Sequence, residues 1–88
     1  MAKWIDYCNT KLPHNLKFEN TKNIIEAMGR RNDMGDVVVF VIEKYGDVYS
    51  FLKLIGTHRG WISIEIYFFN VPTLKMAREM LKLKMEEW

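Results

Sequence analysis

The 88-residue chain predicts an α+β domain: a three-stranded antiparallel β-meander packed on one face by two helices, in the order α-β-β-β-α, preceded by a short N-terminal helix or extended segment. Three observations carry this expectation. The runs VVVFVIEK, VYSFLKLI and WISIEIYFF are rich in β-branched and aromatic residues, as strands are. YGD and GTHRG stand between them with turn chemistry. The flanking segments, NTKNIIEAMG and TLKMAREMLKLKMEEW, repeat apolar residues at helical spacing.

Taken in order, residues 1–18 place Trp4, Ile5, Cys8 and Leu12 one helical face apart before Pro13 forbids continuation. Residues 20–30 read as a helix, with Asn20 or Thr21 as N-cap, a stripe of Ile24, Ala27 and Met28, and Gly29 as its stop. The meander spans 36–69. Pro72 then opens a final helix over 72–87, whose apolar residues form two stripes: Leu74, Ala77, Leu81, Met85 and Trp88, and beside them Met76, Met80 and Leu83. One domain of this size has 49% hydrophobic and 27% charged residues, enough apolar content to fold alone.

Strand parity divides the meander into two unlike faces, because side chains alternate and a hairpin loop sets which residues share a side. A two-residue loop at Tyr45-Gly46 or Gly46-Asp47 groups Val37, Val39 and Val41 with Val48, Ser50, Leu52 and Leu54. A five-residue GTHRG loop pairing Ile55 with Trp61 adds Ile62, Ile64, Ile66 and Phe68 to that aliphatic face. The two helices are expected there. The other face carries Phe40, Tyr49, Phe51, Trp61 and Tyr67 with Lys44, Lys53 and Glu65, and is too apolar to be left wet. Either residues 1–18 fold over it with Trp4, Ile5, Tyr7, Leu12, Leu16 and Phe18, or a partner covers it.

The chemistry-bearing residues are few. Two histidines, His14 and His58, show no spacing that brings them together, and Cys8 with His14 makes no metal-ligand pattern. Cys8 is expected as a small buried hydrophobe, and no disulfide is available to a lone cysteine. No glycine-rich phosphate loop or nucleophile elbow occurs. Neither a cofactor nor a catalytic role is therefore expected, and a small nuclease built on the histidines is the remotest reading. The net charge of +2, from 13 Lys and Arg against 11 Asp and Glu, is too small to imply a polyanion. No apolar run has the length of a membrane span or a signal-peptide core, so a cytoplasmic protein is expected.

What remains is binding. The expected contact residues are Phe40, Tyr49, Phe51, Lys53, His58, Arg59, Trp61 and Tyr67, the open sheet face and the hairpin tip beside it. The favoured expectation is a small non-catalytic regulator or inhibitor, antitoxin-like or a phage-encoded inhibitor of a host factor, with a protein partner or a second copy as its target. RNA binding is the alternative, by base stacking on the sheet aromatics and phosphate contacts from Lys44, Lys53, Arg59 and a basic group of Lys11, His14, Lys17, Lys22, Arg30 and Arg31. The helix, three-strand, helix order over residues 20–88 resembles that of double-stranded RNA-binding domains in topology. KYGD and VPTLK stand where that family has its first strand loop and the basic start of its last helix, so the resemblance carries no site residue.

Overall fold

The computed structural model describes residues 4–8, 12, 16, 18, 23–31 and 36–87. They form a five-stranded antiparallel sheet and one C-terminal helix. The strands are β1 (Ile5–Asp6), β2 (Ile24–Arg31), β3 (Val37–Tyr45), β4 (Val48–Thr57) and β5 (Gly60–Val71), side by side in chain order, and the helix is α1 (Leu74–Glu87). This corrects the expected three strands and two helices, and with them the likeness to the double-stranded RNA-binding order.

The largest change is at β2, expected as a helix. Val37 to Ile42 of β3 are all buried, apolar on both faces, and such a strand needs a neighbour on each side. β2 supplies it, pairing Arg31 with Val37, Gly29 with Val39 and Ala27 with Val41, with a bulge between Ile24 and Glu26. Two adjacent isoleucines and a glycine are indifferent helix formers, so pairing with β3 outweighs their helical spacing. Gly29 is not a helix stop. A Cβ there would lie 2.6 Å from the Tyr7 ring and 2.8 Å from the Val38 carbonyl oxygen, so the position serves close approach of the chain. β1 adds Ile5 opposite that same Gly29, and the Tyr7 amide donates to the Ala27 carbonyl at 2.7 Å.

Both hairpins turn in two residues. Gly46-Asp47 connects β3 to β4, with Gly46 at φ 60°, and pairs Tyr45 with Val48, which sets Val41 opposite Leu52 and Val39 opposite Leu54. His58-Arg59 connects β4 to β5, pairing Thr57 with Gly60, where five loop residues were expected. The register then slips three times, the last between Phe68 and Val71, which faces Tyr49. Gly56 faces Trp61 and Ile55 faces Ser63, so Ile62 has no opposite residue; further on, Leu52 faces Ile66 and Phe51 faces Phe68.

The faces also exchange covers. α1 packs on the aromatic face, burying Ala77 and Leu81 against Val38, Phe40, Ile42, Phe51 and Val71, with Trp4, Tyr49, Ile55 and Tyr67 around them. The aliphatic face is covered by Leu16 over Ala27, Val37, Val39 and Val41, with Tyr7, Phe18, Ile24, Leu54 and Trp61 at its margin. The N-terminal residues thus serve both sides of the sheet. The chain reaches α1 through Asn70, which holds a left-handed φ of 60°, and Thr73 caps the helix by accepting from the Met76 amide at 3.2 Å. Among the described residues, no helix is long and apolar enough to cross a membrane.

Candidate interaction surface

The expected contact residues divide three ways. Phe40 and Phe51 are fully buried, ring centroids 5.9 Å apart, and Tyr67 packs on both at 6.4 and 5.6 Å. Tyr49 is half-buried at the edge of the same cluster. These four are the layer on which α1 rests, a correction to the open aromatic face. Lys53 lies among them with its side chain mostly covered, its ammonium 3.3 Å from the Glu65 carboxylate. Trp61 lies on the opposite face from the one expected. The bulge at Ile62 turns it over Gly56, where an added Cβ would meet the indole at 3.0 Å, and it stacks on Phe18 at 5.7 Å with 9° between the rings.

His58 and Arg59 are exposed at the tip of the second hairpin, where the Arg59 amide donates to Thr57 Oγ1 at 3.1 Å. That contact closes the turn locally. Of the expected basic edge, Arg30 sits over the Trp4 ring at 5.5 Å and Arg31 is exposed, while Lys11, His14, Lys17 and Lys22 lie outside the described residues. Cys8 is exposed, against the expectation of a buried hydrophobe. Partial desolvation, and after it the Asp6 carboxylate, push its thiol above the ordinary value, which keeps it protonated and a poor nucleophile. Among the described residues, no three His, Cys, Asp or Glu side chains cluster as a metal site would require.

The exposed apolar surface lies instead on β5. Ile62, Ile64 and Ile66 are 64%, 66% and 60% exposed, and Phe69 is 70% exposed. All three isoleucines were expected in the core. β5 is the outermost strand, and among the described residues the N-terminal side chains reach Trp61 and not the isoleucines. Glu65 is its only charged residue. The signal is present in the sequence as WISIEI, a strand alternating isoleucine with Ser63 and Glu65, but the helix expected over the isoleucine side packs on the opposite face.

α1 is tied to two strands of the sheet. Its Arg78 pairs with Glu26 of β2, and Lys84 lies over the Tyr67 ring of β5 at 4.7 Å. Met76 and Leu83, 43% and 61% exposed, lie on the side of the helix turned away from the buried Ala77 and Leu81. On its other side an open groove of about 320 Å³, mainly apolar, lies between Trp4, Leu81 and Met85, rimmed by Arg78, Lys82 and Glu86.

No protein-family model matches the chain, and neither a curated protein nor a solved structure is significantly similar to it.

Proposed function

We propose that this chain is a small non-catalytic binding protein, a regulator or inhibitor, whose contact surface is the outer edge and aliphatic side of β5. One observation carries the reading: three isoleucines on consecutive same-side positions of an edge strand are each about two-thirds exposed. Burying an isoleucine completely is worth about 1.5 to 3 kcal/mol, so leaving three open is a standing penalty that a contact removes. Long apolar edges are ordinarily blunted by lysine, proline, brevity or bulges, and the bulges of β5 leave Ser63 to Ile66 regular. β5 runs for 12 residues with neither lysine nor proline. The reading replaces the buried aromatics by the isoleucines and keeps the His58-Arg59 tip as a flanking contact, since it ends the same strand.

The test is affinity capture from the source cell's extract with the wild-type chain and with Ile64→Lys, both checked for folding by circular dichroism. Proteins retained by the first and lost by the second are expected. Equal retention by both counts against the β5 surface, and co-purifying nucleic acid that leaves at high salt would put RNA in place of a protein partner.

A further inference from the structure

The two edges of the sheet are unequal. β1 exposes an edge of two residues, Ile5 and Asp6, whereas β5 exposes one of 12. A head-to-tail chain of molecules would need β5 to pair with β1, and so short a strand offers almost no ladder to pair with. An edge that pairs with its own twin closes after two copies.

We infer that β5 pairs antiparallel with β5 of a second copy about a two-fold axis at Ile64, making one continuous ten-stranded sheet; this rests on the reading of β5 as the contact surface. Side-chain and charge complementarity select the register. With Ile64 opposite Ile64, Ile62 of each copy faces Ile66 of the other, so all six isoleucines meet on one side. On the other side Ser63 faces Glu65 of the second copy, a hydroxyl donor against a carboxylate. A two-fold axis at Glu65 instead sets two carboxylates directly opposite each other, which is unfavourable. An axis at Ser63 sets Ile66 against Gly60 and Glu65 against Trp61, and the isoleucine set is broken.

The bulges limit the alternatives further. They lie at Ile62, at Tyr67 and between Phe68 and Val71, leaving Ser63 to Ile66 as the regular stretch of the β4–β5 ladder. About an axis at Ile64 the regular pairs are then Ile64 with its twin and Ser63 with Glu65, and the Ile62–Ile66 contacts are made beside the bulge. A stable dimer takes about 800 Å² from each partner, more than one strand edge supplies. Phe68 and Phe69 of the same strand, 44% and 70% exposed, extend the apolar area beside the paired edges.

Light scattering on a size-exclusion column, over a wide range of loading concentrations, is expected to give a mass near 21 kDa, twice the 10.5 kDa of the chain. Ile64→Lys, which sets two ammonium groups on the axis, is expected to give 10.5 kDa with wild-type circular dichroism. Register is read by cysteine pairing in a Cys8→Ser background. Ile64→Cys is expected to form a disulfide-linked dimer under mild oxidation, because opposed residues fall within disulfide reach, about 4.4 to 6.8 Å between Cα atoms. Ile66→Cys, facing position 62, is expected to stay free of crosslinks under the same conditions. A wild-type monomer at every concentration overturns the inference, as does a dimer indifferent to Ile64→Lys, or one that crosslinks in the Ile66→Cys variant and not in Ile64→Cys. A monomer that still loses captured proteins on Ile64→Lys overturns the second copy as occupant while keeping β5 as the contact surface.

Discussion

The sheet's two faces are both apolar, yet they are covered in different ways. The aromatic face receives α1, one continuous element whose Ala77 and Leu81 sit over the Phe40–Phe51 layer. The aliphatic face receives N-terminal side chains, among the described residues Tyr7, Leu16 and Phe18, which pack as far as Trp61. The more hydrophobic pattern is therefore the less completely buried. Pattern sets how much a face gains from being covered, and chain connectivity sets whether cover arrives. α1 leaves β5 through Asn70, Val71, Pro72 and Thr73, and the side to which that short connection swings decides which face becomes core.

Breaking the comparison most strongly requires one truncation on each face. Phe51→Ala should cost about 3 to 5 kcal/mol, the loss for a buried ring and the cavity it leaves, read as a lower urea midpoint. Ile66→Ala, at 60% exposure, should stay within about 0.5 kcal/mol in the monomer. The reverse order would mean that the faces are exchanged. The N-terminal cover is probed at Gly29, because a side chain there is driven into Tyr7 and the Val38 carbonyl. Gly29→Ala should cost about 1 to 3 kcal/mol, and no loss would mean that β1 and Tyr7 do not close on β2 as described.

The tie between α1 and β2 is smaller. Arg78 and Glu26 are paired, but the arginine side chain is 58% exposed, so a double-mutant cycle should give only about 0.2 to 1 kcal/mol, falling with added salt. A larger coupling would mean that the pair, more than the Ala77–Leu81 contact, positions the helix. The smallest effect concerns Cys8. Its thiol is raised above 9.0, so the folded chain holds its proton longer than the unfolded chain; the resulting stability is full below pH 9.0 and is lost as pH rises through the folded value. The alkylation midpoint should accordingly lie above pH 9.0, and a midpoint below it would mean that Asp6 and partial burial do not govern the thiol.

Much of the sheet is legible in the residues. The β-branched runs, the Gly46-Asp47 turn, and the grouping of Val39 and Val41 with Leu52, Leu54, Ile64 and Ile66 all follow from period-two alternation, which survives a register change of two residues. Trp61 escapes it. A bulge reverses parity and seats the indole over Gly56, which carries no side chain, and the alternation does not record a bulge. β2 escapes for a different reason: Ile24, Ala27 and Met28 fit a helical stripe, and only the needs of a β3 buried on both faces turn them into a strand.

The alternating runs and turn residues of this chain determine that an antiparallel sheet forms, because backbone pleating and turn dihedrals are local properties. The number of strands, the side on which α1 lands and the exposure of Ile62, Ile64 and Ile66 are properties of packing. Each depends on which distant segment packs on a surface that several could cover. The isoleucines stand open because α1 is occupied on the other face and, among the described residues, the N-terminal side chains pack only as far as Trp61.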